Sequence, residues 1–157
     1  MPGGTSIETD SPASTVVFVQ ISYRSRFTVD DVALSALHAR AFGYAEQVFA
    51  WGRSLDHPVT ITWVGAFDGS RLVGFVQARS TGPEDALLFD TAVDPESQGR
   101  GIGTGLVTHA VRDIEGAGFH RVLAEFEPPL SRFYVGRCGF TRRDATTASL
   151  SLPRPPR

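Results

Sequence analysis

The sequence predicts one mixed α/β domain, with a central sheet of six to seven strands and about four flanking helices. Three observations carry that prediction. The chain has 157 residues, 41% of them hydrophobic and 20% charged, which supports one core and not two. Two apolar runs, 60–67 and 72–78, flank Asp68-Gly69-Ser70, a strong hairpin signal that makes the first half antiparallel. The run Ala86-Leu87-Leu88-Phe89 is apolar on both faces, as a buried central strand is, and leads through a glycine-rich turn into an amphipathic helix.

Residues 1–14 read as a disordered leader, polar and without the basic start and apolar run of a signal peptide. The domain spans 15–152. Val17, Val19, Ile21 and Tyr23 alternate with Gln20, Ser22 and Arg24, the period of two of a first strand. Thr28, Asp30 and Asp31 open a helix that runs to about Phe42, and Gly43 ends it. A shorter, aromatic helix is expected over 45–53, then the hairpin, then a strand over 86–93. Leu106, Val107, Ala110, Val111 and Ile114 share one face of a helix over 103–116. A strand over 120–126, a short helix over 128–137 opened by proline, and one or two strands over 139–152 complete the domain. Residues 153–157 form a tail whose prolines cannot continue a central strand.

Composition narrows the function classes. The net charge of -2 gives no electrostatic argument for nucleic acid or an anionic membrane as partner. The single cysteine, Cys138, excludes an internal disulfide. No apolar stretch reaches the roughly 18 residues of a spanning helix, so a cytoplasmic protein is expected. All 15 basic residues are arginine, which removes a lysine nucleophile and any lysine-dependent phosphate loop. His38, His57, His109 and His120 have no metal-ligand spacing, and no metal is expected. His109 is expected on the solvent face of its helix, and Cys138 as a small apolar packing residue.

The segment Gln98-Gly99-Arg100-Gly101-Ile102-Gly103-Thr104-Gly105 joins the buried strand to the helix. Alternating glycines let the backbone approach a ligand closely. The first amides of a helix lack internal partners and carry the positive end of its dipole, so the turn suits a diphosphate. With no lysine it is not an NTPase phosphate loop. Its spacing also fails the dinucleotide pattern G-x-G-x-x-G from Gly99, Gly101 or Gly103.

These residues resemble the GCN5-related N-acetyltransferase (GNAT) family. Gln98-Gly99-Arg100-Gly101-Ile102-Gly103 fits the family's acetyl-CoA signature at every fixed position, and Val93-Asp94-Pro95 fits its strand exit. The Asp-Gly hairpin, the Phe133-Tyr134…Gly139-Phe140 segment and the element order extend the resemblance over about 17–152. It implies a sheet split by a V-shaped wedge and acetyl-CoA as co-substrate. It also implies diphosphate contacts from Gln98, Gly99, Arg100, Gly101, Ile102, Gly103 and Thr104, and pantetheine paired along Thr91, Ala92 and Val93. The activity implied is N-acetyltransfer to a primary amine, on a small molecule or a peptide N-terminus, by direct attack in a ternary complex. The alternative is a non-catalytic acyl-CoA-binding or sensor module of the same fold. A homodimer stays open.

Such chemistry needs a proton donor for the leaving thiolate and an acceptor for the amine proton. The resemblance assigns the donor to Tyr134. The family places Gly-Phe four residues after this tyrosine, and here Gly139 is five after it. The helix therefore contains a bulge or ends one residue later. The family's pantetheine asparagine is replaced by Glu127, leaving Ser131 as a weak substitute. Candidate bases are Glu125, Asp90 and Asp94, each of which could instead be a surface acid. Phe42, Tyr44, Phe49, Trp51 and Trp63 form an aromatic group that packs the core or, at Tyr44 and Trp51, lines an acceptor pocket.

Overall fold

The computed structural model describes residues 20–154. The leader, the first half of the expected first strand and the end of the tail lie outside them. Strand β1 is Ile21–Ser25, and helix α1 is Asp31–Phe42. Asp30 caps α1, its carboxylate accepting from the Val32 and Ala33 amides, and Gly43 closes it at φ +73°.

The expected helix over 45–53 shrinks to α2, Trp51–Leu55. The stretch before it is held by α1 side chains instead of helical turns. The Phe49 amide and the Trp51 indole both donate to Ser35 Oγ, at 2.9 and 3.0 Å. The Gly52 amide donates to Asp31 Oδ1 at 2.8 Å. With the Phe49 amide satisfied across the gap and Asp31 holding the first-turn amide of Gly52, α2 starts at Trp51.

The hairpin forms as expected from β2, Thr60–Asp68, and β3, Arg71–Ser80. Strand β4 is Asp85–Val93, α3 is Ile102–Gly116 and β5 is Arg121–Glu125. The expected helix over 128–137 divides into a 3-10 turn, Pro128–Leu130, and a π-helix, Arg132–Arg137. Strands β6, Thr141–Arg142, and β7, Thr147–Ser151, close the chain.

The seven strands lie in the order β1-β2-β3-β4-β5-β7-β6. All neighbouring pairs are antiparallel except β4 and β5. The parallel pair follows from its connection, since α3 crosses between the two strands. On one face of the sheet α3 buries Ile102, Leu106, Val107, Ala110 and Ile114 among Val64, Val73 and Val76. Each such Val, Leu or Ile side chain contributes about 1.5–3 kcal/mol. A second cluster unites Leu34 and Leu37 of α1 with Leu55 and Phe75.

The helix sits close to β1 because Gly105 has no side chain. A Cβ there would lie 2.1 Å from the Tyr23 hydroxyl. Tyr23 stacks on His109 at 4.5 Å, and His109 Nδ1 donates to the Gly105 carbonyl at 2.8 Å. His109 is thus half-buried against β1 and not on the solvent face expected for it.

Two irregularities in β4 open the sheet. Pairing with β5 stops at Leu88 opposite Ala124. On the other side, Phe75 pairs with Ala92 and Gln77 with Phe89, so Asp90 and Thr91 together oppose Val76. This is a β-bulge, which bends the strand. Asp90 takes φ +55°, a conformation that aspartate tolerates better than most side chains. Beyond the bulge β4 leaves β5, and a wedge opens between them.

Candidate active site

The wedge is a cavity of about 1020 Å³. Its walls include Phe89 to Val93 of β4, Glu125 at the end of β5, and Phe133, Tyr134 and Arg137 of the π-helix. One end is closed by Gln98, Gly99 and Gly101 to Thr104.

The glycine turn is built for an anion. Gly99 and Gly101 take φ +80° and +76°, which other residues adopt at a cost. Gly101 is the N-cap of α3, no side chain caps the helix, and no acid sits in its first turn. The first helical bond is from the Gly105 amide to the Gly101 carbonyl. The amides of Ile102, Gly103 and Thr104 therefore have no acceptor within the helix, at its positive end. Arg100 does not line the cavity; it pairs with Asp68 at 3.3 Å.

Asp94 holds the strand exit in place. It is 1% exposed, caps the 3-10 turn Pro95–Ser97 through the Glu96 amide, and accepts from Arg40 at 2.8 Å and Arg71 at 3.0 Å. Burial pushes its pKa up, but the Glu96 amide and the two guanidinium groups outweigh that and hold it below the usual carboxylate value. A carboxylate so engaged is outside the cavity lining and structural, which removes Asp94 from the candidate bases.

Tyr134 is 2% exposed, stacked on Phe126 at 5.0 Å and edged by Phe133 and Phe140. Its hydroxyl donates to Thr91 Oγ1 at 2.9 Å, across the wedge. Burial, above all, raises its pKa, so the phenol keeps its proton at neutral pH. The extra residue before Gly139 is absorbed as a wide turn. The Cys138 amide bonds the Phe133 carbonyl, and the Phe140 amide bonds the Tyr134 carbonyl, both at 3.0 Å.

Asp90 and Glu125 face the cavity from its two strands. Ser131 does not; its hydroxyl accepts from Arg142. Glu127, in the asparagine position, does line the cavity. Of the aromatic group, Trp51 packs on Phe75 at 5.9 Å and Trp63 donates to the Phe27 carbonyl, while Phe42 reaches the cavity. Cys138 is half-buried, and burial pushes its thiol up to about 11. The sequence reading missed His38. Its Nε2 lies 3.1 Å from Asp90 Oδ1. The available signal was a histidine one turn after Leu34 on the stripe that α1 turns to the sheet.

The model of the Acetyltransferase (GNAT) family matches residues 27–140. The chain belongs to this GNAT family. Serotonin N-acetyltransferase 2, chloroplastic, of Oryza sativa subsp. japonica is 29% identical over 71% of this chain and 56% of its own length. The chain thus spans about half the length of the curated relatives it matches first. Among solved structures, a GNAT family N-acetyltransferase (YhbS) from Escherichia coli in complex with CoA superposes with a TM-score of 0.70. That pair is 17% identical over 86% of this chain and 83% of the other. The PaiA N-acetyltransferase from Thermoplasma acidophilum in complex with coenzyme A has a TM-score of 0.66 at 17% identity, over 84% of this chain and 99% of the other. These likenesses establish the GNAT fold, including its seven-stranded mixed sheet. No helix among the described residues is long and apolar enough to cross a membrane.

Proposed function

We propose that this GNAT domain transfers an acetyl group from acetyl-CoA to a primary amine, on a small molecule or a peptide N-terminus. The observation that carries the reading is the wedge itself. It joins an uncapped helix N-terminus to a strand edge that has no partner among the described residues, and a buried phenol and a carboxylate share its walls.

The residues fit the donor. The amides from Ile102 to Thr104 suit its diphosphate. The edge of β4 beyond Leu88 offers backbone donors and acceptors that an extended amide chain can pair with, as an added strand does. Bound acetyl-CoA would supply an already activated thioester, so no enzyme nucleophile is required. The domain's own part is proton management. An acceptor amine must be neutral to attack, and Asp90 or Glu125 can take its proton. Tyr134, protonated at neutral pH and 2.9 Å from Thr91, can protonate the sulfur as it leaves.

Support for the acceptor class is electrostatic. Asp90, Glu125 and Glu127 line the cavity against the single cation Arg137, and a cationic amine is attracted by such a net acidic lining. The rice relative, named for serotonin, is one precedent for an amine acceptor within the family. Thiol release followed with a panel of amines tests the proposal. Acetyl-CoA-dependent turnover with at least one amine is expected. Tight acetyl-CoA binding with no turnover on any of them would leave an acyl-CoA-binding module.

A further inference from the structure

Asp90 does not stand alone in the wedge. Its Oδ1 is 3.1 Å from His38 Nε2 and its Oδ2 accepts from Gln77 Nε2 at 2.6 Å. His38 Nδ1 is in turn 2.6 Å from the Tyr44 hydroxyl. The carboxylate can only accept, so Nε2 carries a hydrogen. In the neutral ring Nδ1 is then the acceptor, and the Tyr44 hydroxyl donates to it. One tautomer satisfies every partner; Asp90 selects it, and the Tyr44 hydroxyl completes it by donating to Nδ1.

The ring is fixed by packing as well. Phe42 lies 4.4 Å from it and Trp51 5.0 Å. Its side chain is 14% exposed, against 27% for Asp90. The titratable groups facing it are Asp90, from β4, and Tyr44, from the loop after α1. Asp90 lines the cavity, whereas His38 and Tyr44 stand behind it. Two donors orient the carboxylate, and each oxygen keeps a lone pair for the cavity side.

We propose that His38 and Tyr44 are positioning residues that hold Asp90 as the base of the reaction, in preference to Glu125. Glu125 is exposed at the end of β5. The inference rests on the acetyltransfer reading. An ammonium acceptor first gives one proton to water by way of Asp90. In the step this serves, the neutral nitrogen attacks, the C–N bond forms and the C–S bond breaks; the nitrogen passes its second proton to Asp90, and Tyr134 passes one to the sulfur. Asp90 then returns its proton to water in the cavity and Tyr134 regains one from water, so the protons balance. The bulge that gives Asp90 its φ of +55° is what brings the carboxylate within reach of α1.

The experiment is a mutant cycle on turnover with an amine the wild type accepts. Asp90→Asn is expected to lower kcat about 100-fold, the lower range for a lost general base. His38→Gln should lower kcat about tenfold, through a mispositioned base, with the KM for acetyl-CoA unchanged. In the Asp90→Asn background His38→Gln should add nothing. Tyr44→Phe deletes only the hydroxyl of a surface residue and should reproduce the His38→Gln effect in weaker form, which keeps the test available if His38→Gln misfolds. Equal losses from His38→Gln with and without Asp90, or a Tyr44→Phe enzyme with wild-type kcat, overturn the positioning role while leaving acetyltransfer intact. A wild type that turns over no amine overturns the acetyltransfer reading and this inference with it.

Discussion

Replacing Asp94 by alanine isolates what holds the glycine turn in place. The carboxylate is 1% exposed and makes three hydrogen bonds. Loss of its cap on the Glu96 amide costs about 1 kcal/mol. The bonds to Arg40 and Arg71 are worth less than their short distances suggest. Both guanidinium groups reach water, with side chains 46% and 57% exposed, so each contributes roughly 0.5–1 kcal/mol. The sum is about 2–3 kcal/mol, which in a domain of this size lowers Tm by roughly 5–10 °C. Asp94→Asn keeps the cap and loses the charge, so it should fall about midway. The pH dependence has a definite sign. The folded-state pKa is lowered, so the stabilisation is complete above the ordinary carboxylate value and is lost as pH falls through the folded one. The Tm gap between wild type and Asp94→Asn should therefore be constant from pH 7 to 5 and close below about pH 4. Thermal unfolding by circular dichroism across that range measures it, and an acetyl-CoA titration should show weaker binding in both variants. A Tm for Asp94→Ala within 1 °C of wild type, or a gap that widens in acid, would refute the reasoning.

Three further outcomes are expected. Tyr134→Phe should lower kcat about 100-fold with acetyl-CoA affinity unchanged, and cost about 1 kcal/mol in stability for the bond to Thr91; steady-state kinetics and denaturant titration read both. Gly101→Ala should destabilise by about 1–2 kcal/mol purely through its φ of +76°, since a Cβ there meets nothing within 4 Å. Calorimetric titration should also find its acetyl-CoA binding weakened, and wild-type affinity would show that the turn's conformation is not what binds the donor. Cys138, pushed up to about 11, should alkylate at pH 8 about a hundredfold slower in the folded protein than in the denatured chain, which mass spectrometry of timed iodoacetamide reactions can follow.

Much of this protein was legible in one dimension, because local chemistry decides it. Alternation and the Asp68-Gly69 turn specify the antiparallel half, and a helix-period stripe specifies α3. The absence of lysine and the failed G-x-G-x-x-G spacing separate the Gln98–Gly103 turn from NTPase and dinucleotide loops. Misreadings came where a segment's partners are distant in sequence. The helix expected from Ala45 loses its first turns because Ser35 and Asp31, a helix away, satisfy its donors. His109 looked exposed because Tyr23 covers it from a strand 86 residues earlier.

The site divides along the same line. The anion turn is a property of consecutive residues, a few glycines and the start of a helix, so the sequence by itself determined it. Which carboxylate faces the cavity was decided only by the tertiary structure. Asp90 and Asp94 are four residues apart and chemically alike, yet the bulge turns one toward the cavity and His38, while Arg40 and Arg71 bury the other outside it. A carboxylate's role depends on burial and on charges that arrive from other strands and helices, and no pattern of neighbours along the chain encodes those.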